Sequence, residues 1–532
     1  IELRVVFVPF IYAVYSLKLY VDISVYVDDT TFEANGSKRF VLANLVPAVR
    51  CFTDLMRKAG FEFSVKKGIA LSSCPTLAGE VAAALPALSL HSRSHATSLG
   101  VGLGAGSSRN AAVVNKRLAA FRSRIPSFRR MRQCRINTAI VLRTGGIKAL
   151  TYGAEVTGVS TSSLLSQRRS VSAALVPGGA GHLDLSLALA DGPVSSAACA
   201  DPAFDAHVLP LAAWVEARWE AWVPDTLADC AFNSSLKRAQ ANRLSWNGAA
   251  GPAAVVLLTA QRLGWVFLSS TKLVTDIGTL VDIVCCPPAR MKVLVAQAVE
   301  RWRSRSIGRS FGLPHEGPHA GAYLGAIRRL VNGNSATAKW QLPAVAKGAL
   351  RSSVVGRQWP QQRLHSAGIS ERVACQLCVA AGLCDADCTD PGFVGHLAHR
   401  CITCPTLAPF RQEHLPDGLR KDVARWASLP VDSPERSSLL LLLTRGLGPS
   451  PFRELPEPPQ EETWQWVVRP SGDCVVGDGL RAYTDGSLVD SGSLYEGHLA
   501  RCGWAFVVCN SGGDRVAAAH GMPAPYGQAM HG

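Results

Sequence analysis

Residues 20–33 read YVDISVYVDDTTFE, and this stretch does most to decide the fold of the chain. The β-branched and aromatic run over 20–27 predicts a strand, and Thr30-Thr31-Phe32 predicts its return. Asp28 and Asp29 fall where the chain must turn, so the hairpin would carry two carboxylates at its tip. Carboxylates hold Mg²⁺ (or Mn²⁺), and two such ions stabilise the attacking and leaving oxygens in phosphoryl transfer. The alternative is a solvated, aspartate-rich turn.

The segment after the hairpin predicts a helix and then a strand. Apolar residues recur at helical spacing over 40–60, where Pro47 would start or kink the helix and Gly60 would cap it. Residues 60–68 then alternate between apolar and polar side chains, as a strand does. This order resembles the palm of reverse transcriptases, in which a Tyr-x-Asp-Asp hairpin carries catalytic metal ligands.

The resemblance to that palm assigns roles to five residues. It implies that Asp28 and Asp29 are catalytic Mg²⁺ ligands and that the nucleotide or nucleic acid is contacted by Tyr26, Lys66 and Lys67. For the two lysines, an ordinary solvated strand end is the alternative.

The family's palm has a further carboxylate on a strand well upstream of the hairpin. Here Glu2 and Asp22 are the only acids before Asp28, and neither stands in the family's Phe/Tyr-x-x-x-Asp setting. We therefore expect a fragment that begins inside the palm and does not polymerise by itself. Residues 5–17 are apolar but too few to span a bilayer, so we expect them to be buried in the palm.

The charge of the chain predicts an anionic partner. Net charge is +15, from 55 Lys and Arg against 40 Asp and Glu. Residues 81–154 and 317–370 contain no acidic residue at all. Such basic stretches favour phosphate contact, and the densest of them includes Arg129, Arg130 and Arg132. The alternative is a solvated basic face.

Six of the 16 cysteines lie within residues 375–404, and the others are scattered. This distribution favours a reducing compartment with one local metal site over a secreted disulfide framework. Thiolate and imidazole are the ligands that Zn²⁺ prefers, and the two-residue spacing of Cys375 and Cys378 is typical of such a site. The spacing alone leaves the other two ligands open.

The pattern Cys-x-x-Cys, His-Arg and Cys resembles the zinc knuckle found between the polymerase and RNase H regions of non-LTR elements. The resemblance implies that the zinc ligands are Cys375, Cys378, His399 and Cys404. The alternates are His396 and Cys401, and the cysteines expected to be spare are Cys384 and Cys388. Chance enrichment in cysteine is the competing interpretation.

The stretch 481–487, RAYTDGS, resembles the first strand of type 1 RNase H, in which the aspartate binds a catalytic metal. That resemblance implies Asp485 as a Mg²⁺ ligand. Residues 503–508 and 516–521 match the second and third strands, and the family's next ligand would follow Gly532. The alternative for the aspartate is a turn residue before glycine.

These patterns together predict an α+β multidomain chain. Helices are expected from Leu99 to Val176, Ala253 to Leu268 is expected to be one buried helix, and Trp214, Trp219 and Trp222 are expected in the core. The expected regions are a truncated palm with a β-hairpin and helices (1–80), a basic helical thumb (81–181), a helical connection (182–370), a small zinc module (371–410), a Pro/Glu-rich linker (445–477) and a partial RNase H-like β-sheet (478–532).

The three resemblances occur in the order of one family, the non-LTR (LINE-like) retrotransposon polyproteins. They imply a fragment of a reverse transcriptase, an RNA-directed DNA polymerase, with an appended RNase H domain. The expected partners are an RNA template, a DNA primer and RNA–DNA hybrid, with no membrane, in the nucleus or cytoplasm. One alternative is a non-catalytic nucleic-acid-binding relic or domesticated protein. A weaker one is a helical scaffold for protein partners.

Overall fold

The computed structural model combines α-helices and β-sheets, which confirms the expected α+β class. Contacts divide the chain into two compact units, of which unit 1 comprises residues 1–116, 156–158 and 234–258 and unit 2 comprises 117–155, 159–233 and 259–532. The structure describes residues 2–27, 29–64, 66–106, 109–134, 136–175, 182–190, 199–249, 251–313, 320–332, 342–449, 463–470, 479–489 and 501–522.

Helices outnumber strands over this part of the chain, and every described helix is too short or too polar to span a lipid bilayer. The helices are α1 (Glu2–Ser16), α2 (Lys38–Lys58), α3 (Pro75–Ala84), α4 (Ala112–Ser123), α5 (Ile125–Gln133), α6 (Thr138–Val141), α7 (Ile147–Thr151), α8 (Ala154–Thr157), α9 (Thr161–Leu175), α10 (Leu183–Ala188), α11 (Ala203–Trp219), α12 (Asp225–Gln240), α13 (Pro252–Leu263), α14 (Pro288–Ser310), α15 (Gly325–Asn332), α16 (Ala344–Val354), α17 (Gln361–Ser366), α18 (Gln376–Ala380), α19 (Ala408–His414), α20 (Asp417–Ser428) and α21 (Pro434–Arg445). The strands are β1 (Asp22–Tyr26), β2 (Asp29–Glu33), β3 (Ile69–Leu71), β4 (His91–Arg93), β5 (His95–Ser98), β6 (Val101–Gly104), β7 (Val266–Phe267), β8 (Lys272–Val274), β9 (Leu280–Asp282), β10 (Ala322–Tyr323), β11 (Gly448–Pro449), β12 (Thr463–Val468), β13 (Arg481–Val489), β14 (Arg501–Cys509) and β15 (Arg515–Met522).

In unit 1, β1 and β2 form the predicted antiparallel hairpin. Its apolar side chains pack with α1 and α2, and Phe52 of α2 meets Phe32 of β2 edge-on, with ring centroids 5.3 Å apart. The expected burial of residues 5–17 holds for one side of α1 only. Phe7 is buried there, whereas Tyr12 remains 70% exposed.

Helix α2 starts earlier than the sequence predicts. Ser37 caps its first turn by accepting a hydrogen bond from the backbone N–H of Phe40, so Pro47 lies inside the helix and does not start it. At the other end, Gly60 takes a φ of 88°, which favours glycine and ends the helix.

The strand predicted over residues 60–68 is wrong. Phe61 and Phe63 do alternate with polar neighbours, but they pack on the cluster formed by α1 and α2 without a partner strand. The backbone then turns, with the N–H of Lys67 donating to the carbonyl of Ser64 at 3.1 Å. The alternation of apolar and polar side chains here belongs to an extended segment that packs on two helices. The first paired strand, β3, begins only after it.

The helical prediction from Leu99 to Val176 is wrong at its start. Leu99 and Gly100 both have positive φ, 47° and 78°, and form the two-residue turn of a hairpin between β5 and β6. The described residues from Ala112 to Leu175 are mostly helical, as expected.

Two expectations for residues 182–370 need correction. The predicted helix from Ala253 to Leu268 ends at Leu263, because Gly264 (φ 80°) turns the chain into the three-stranded sheet of β7, β8 and β9. That sheet was not predicted.

The expectation of three core tryptophans is also wrong for two of them. Trp214 packs against Phe232, with ring centroids 5.8 Å apart. Trp219 and Trp222 are 44% and 63% exposed. Five residues along a helix rotate a side chain by about 140°, so the last residue of α11 does not share the face of Trp214.

A buried ionic network connects several helices of unit 2. The guanidinium of Arg168 donates through Nε to Asp201 Oδ1 at 2.9 Å and also pairs with Asp184. Burial lowers the pKa of Arg168, but Asp201 and Asp184 outweigh it and raise that pKa. Losing one member of such a network costs about 3–5 kcal/mol, because a buried charge is left uncompensated. The further members of the network are Glu300, Arg303 and Arg328.

The last strands form one antiparallel sheet in the order β12-β15-β14-β13. Strands β13, β14 and β15 cover the three segments predicted from the RNase H resemblance. Strand β12 is a correction, because it lies inside the expected linker 445–477, and Trp466 on it packs edge-on against Phe506 of β14. The linker residues 450–462 and 471–477 lie outside the described part of the chain.

Candidate metal centre

Three thiols and one imidazole come together in the region 371–410, and they are the four side chains that the zinc-knuckle resemblance implied. Cys375 directly precedes α18 and Cys378 lies within it, so both are on one side of a single turn. His399 begins a π-helical turn, and Cys404 directly follows that turn. Two short helical turns, 21 residues apart between Cys378 and His399, therefore supply two ligands each.

Backbone hydrogen bonds hold the two halves together. The N–H of Cys375 donates to the carbonyl of Phe393 at 2.8 Å, and the N–H of Gly395 donates to that of Val373 at 2.9 Å. At Gly395 a Cβ would lie 2.7 Å from the Cβ of Gln361 and 3.2 Å from the Cα of Cys375. Glycine is required there because the segment passes this close to the first ligand.

The geometry of the four side chains fits a tetrahedral ion. Their ligand atoms all lie within 4.8 Å of one another. Cys378 Sγ is 3.6 Å from Cys404 Sγ and 3.4 Å from His399 Nε2. Tetrahedral zinc with ordinary bond lengths would separate two sulfurs by about 3.8 Å, and a sulfur and a nitrogen by about 3.5 Å. The observed spacings agree with these values, so the site can hold zinc with little rearrangement.

Burial and hydrogen bonds shift the pKa values of two of these thiols in opposite directions. Cys378 and Cys404 are fully buried, and burial raises the pKa of the Cys378 thiol to about 11. Burial acts in the same direction on Cys404, but hydrogen bonds from the backbone of Leu407 and from Cys378 outweigh it and lower that pKa. A metal ion would remove this conflict, because coordinated sulfur is a thiolate.

Neighbouring groups orient the ligands. The hydroxyl of Thr403 lies 3.5 Å from Nδ1 of His399, which leaves Nε2 facing the three sulfurs. Thr406 donates from Oγ1 to Cys378 Sγ at 3.7 Å, as a hydroxyl beside a metal thiolate does. Nothing in the sequence indicates a role for these two threonines beyond their position next to the ligands.

The alternate ligands lie outside the cluster. Nδ1 of His396 accepts a hydrogen bond from the backbone N–H of His399 at 2.8 Å, so it supports the turn that carries the ligand. Cys401 lies within that turn but does not belong to the group of converging ligand atoms. The two cysteines expected to be spare flank a turn in which Cys388 donates its N–H to the carbonyl of Asp385 at 3.1 Å.

The hairpin tip carries a strained residue. Tyr26 pairs with Asp29 at the tip, and Val27 directly follows the paired Tyr26. Val27 has a φ of 57°, a conformation that costs a β-branched residue about 1–3 kcal/mol and that is concentrated at functional sites. Tyr26 and Asp29 are exposed, and Asp28 lies outside the described residues.

The side chains predicted to bind the nucleotide and the nuclease metal are exposed to solvent. Lys66 and Lys67 lie in the exposed turn before β3. Asp485 is exposed in the middle of β13, opposite Ala505 of β14. Within the described residues, neither Asp29 nor Asp485 belongs to a group of three or more metal-binding side chains, so the structure gives no support for a Mg²⁺ site.

The three arginines predicted to bind phosphate lie on α5. Arg129 and Arg130 are exposed, whereas Arg132 is half-buried and donates from Nη1 to the carbonyl of Ala174 at 2.9 Å. Burial and the neighbouring charge of Arg129 lower the pKa of Arg132. Arg129 and Arg130 are therefore fully open to a large ligand, whereas Arg132 is partly open and also ties α5 to α9.

A scan against protein-family models and searches of curated proteins and of solved structures find no match to this chain. The function must therefore be argued from the site itself.

Proposed function

We propose that this chain is part of a reverse transcriptase of the non-LTR retrotransposon type, which copies RNA into DNA and degrades the RNA strand of the resulting hybrid. One observation carries the proposal. A strained hairpin with the sequence Tyr26-Val27-Asp28-Asp29, a buried Cys₃His cluster and an antiparallel sheet bearing Asp485 follow one another along the chain in that order. A basic helical segment lies between the first two, where the template and product would be held.

The zinc ion would have a structural role. All four ligands come from the protein and are buried, which leaves no open position for a substrate, and closed sites of this kind stabilise a fold. The region 371–410 contains only short helical turns and one isolated β-bridge, between Ala374 and Val394. Metal binding would therefore supply much of its folding free energy.

The catalytic part of the proposal concerns Asp28, Asp29 and Asp485 as Mg²⁺ ligands. Bound Mg²⁺ would neutralise charge on the reacting phosphate. Among the described residues, neither Asp29 nor Asp485 belongs to a group of three or more metal-binding side chains, so we derive no catalytic step through the ion.

The test distinguishes polymerase activity from nuclease activity by means of two matched variants. This chain, and the same chain extended by its neighbouring coding sequence, are assayed for primer extension on an RNA template and for cleavage of RNA–DNA hybrid with Mg²⁺ or Mn²⁺. In the extended chain, Asp28→Asn should abolish extension and leave cleavage, and Asp485→Asn should do the reverse. Each variant is the folding control for the other.

The second candidate is a non-catalytic nucleic-acid-binding protein, favoured by the basic composition and the closed metal site. An extended chain that binds hybrid tightly but has neither activity would support this candidate and reject the enzyme. An extended chain that binds neither RNA nor hybrid at low salt would reject both.

A further inference from the structure

The fold brings together arginines from three separate segments of unit 2. Arg132 comes from the first acid-free segment, and Arg357 and Arg363 come from the second, which the sequence places about two hundred residues later. Arg445 is the last residue of α21. Together with Trp359 we call these four residues the arginine–tryptophan site.

Backbone carbonyls hold Arg363 against Trp359. Arg363 donates from Nη1 to the carbonyls of Gly356 and Gln358, at 2.7 and 2.9 Å. Its guanidinium carbon lies 4.4 Å from the ring centroid of Trp359, so it covers one face of the indole. Trp359 is still 44% exposed, so part of the ring remains open to solvent.

Glycine makes room for the next arginine. Gly356 has a φ of 75°, and a Cβ at this position would collide with the guanidinium of Arg445. On its other side, the same guanidinium lies 4.9 Å from the ring centroid of Phe311. Arg445 is thus held between a glycine and an aromatic ring, beside Arg363.

Arg132 completes the site from the other segment. It lies close enough to Arg357 that burial and the charge of Arg132 together lower the pKa of Arg357. In the same way, burial and the charge of Arg363 lower the pKa of Arg445. Geometry gives an indirect link as well: Arg132 donates from Nη1 to the carbonyl of Ala174 in α9 at 2.9 Å, and the N–H of His182, which follows α9 in the chain, donates to the carbonyl of Val355 at 3.3 Å.

Such a cluster of like charges is unfavourable without an anion. Among the described residues, no carboxylate forms an ion pair with Arg132, Arg363 or Arg445. Repulsion between guanidinium groups is relieved when phosphate oxygens lie between them, and planar guanidinium groups match phosphate geometry. The cluster is therefore arranged for phosphate.

We propose that the arginine–tryptophan site binds single-stranded RNA, with backbone phosphates on the four arginines and one unpaired base stacked on Trp359. The exposed indole decides in favour of a single strand, because a paired base in a duplex does not offer its face for stacking. The inference rests on the proposed nucleic-acid function and adds where an unpaired part of the template would lie.

The experiment measures binding of the full chain to two fluorescent probes by anisotropy. One probe is single-stranded oligo(U) of about 12 nucleotides, and the other is a blunt RNA–DNA hybrid of the same length. Trp359→Ala should weaken oligo(U) binding about tenfold and hybrid binding less than about twofold. Trp359→Phe should restore most of the loss, and Trp222→Ala, at another exposed tryptophan, should have no effect.

The arginines are tested through salt dependence. Arg445→Gln should lower the slope of log affinity against log salt for oligo(U) by about 0.7, the value of one lost phosphate contact on a single strand. Gly356→Ala should lower the salt slope by a similar amount, because the new methyl group would displace Arg445. Gly368→Ala is the control and should leave the slope unchanged, because Gly368 has a similar φ of 69° but open surroundings. Arg425→Gln is the charge control, because that arginine is already paired with Glu435.

Three results would overturn the site. They are unchanged oligo(U) affinity in Trp359→Ala, an equal loss for both probes, and an unchanged salt slope in Arg445→Gln. If hybrid still binds in those cases, only this inference fails. If wild-type protein binds neither probe at low salt, the proposed function fails as well.

Discussion

At the scale of single residues, the Cys₃His cluster gives a direct prediction. Cys378→Ser and Cys404→Ser should each reduce bound zinc from about one ion per chain to near zero, since a hydroxyl is a poor substitute for a buried thiolate. Metal analysis after dialysis against a weak chelator measures this. Cys388→Ser is the matched control, because that cysteine lies outside the group of converging ligand atoms.

A second residue, His207, predicts a dependence of stability on pH. It is fully buried, its Nδ1 lies 2.6 Å from the carbonyl of Ala203, and its Nε2 accepts from Arg262 Nε at 2.8 Å. Both ring nitrogens are therefore used by the neutral imidazole. Burial first, and then the charge of Arg262, lower its pKa well below the ordinary value of 6.5.

The sign of the effect follows from proton binding. Above pH 6.5 neither the folded nor the unfolded chain protonates His207, so its contribution is complete there. Below that pH only the unfolded chain takes up the proton, so stability is lost as the pH falls towards the folded pKa. Between about pH 7.5 and 5.5, the wild type should lose about 1 kcal/mol more than His207→Gln, which keeps an acceptor for Arg262. Urea unfolding at both pH values measures the difference, and equal losses would contradict the assignment.

At the scale of elements, Gly395 is predicted to control the metal centre without touching the ion. In Gly395→Ala the new methyl group would push the segment away from Cys375 and separate the two halves of the site. Zinc affinity should fall by about tenfold or more, the range expected when supporting groups around ligands are disturbed. Gly418→Ala, in the first turn of α20 with open space around it, should leave zinc binding unchanged. Competition with a fluorescent chelator gives both affinities.

Sequence patterns predicted a structural element correctly where neighbouring residues alone determine it. The hairpin of β1 and β2 was predictable from a β-branched and aromatic run that ends at a turn. The spacing predicted the first two converging ligands, and the other two were implied only by the resemblance to a zinc knuckle. Alternation failed at residues 60–68, because packing on a helix pair produces the same pattern as pairing in a sheet. The sequence 463–468, TWQWVV, has strand character, but its proline- and glutamate-rich neighbours led to a linker assignment. The arginine–tryptophan site was not predictable, since only tertiary structure joins its segments.

At the scale of the whole molecule, the net charge of +15 predicts strongly salt-dependent binding to RNA and to RNA–DNA hybrid. Each phosphate neutralised releases counterions, so affinity should fall steeply as salt rises. Simultaneous charge reversal of Arg129, Arg130 and Arg132 should reduce the slope of log affinity against log salt by the amount expected for the loss of about two to three phosphate contacts. Affinity measured at four or five salt concentrations gives the slope, and an unchanged value would show that α5 faces away from the nucleic acid.

The ionic network around Arg168 has a practical consequence for handling this protein. Its charges are buried, so added salt screens them far less than it screens exposed arginines. At about 1 M NaCl, where the screening length is about 3 Å, contaminating cellular RNA should dissociate while the helices around this network stay folded. A high-salt wash during purification should therefore remove copurifying RNA, seen as a drop in absorbance at 260 nm, without loss of the native circular dichroism spectrum.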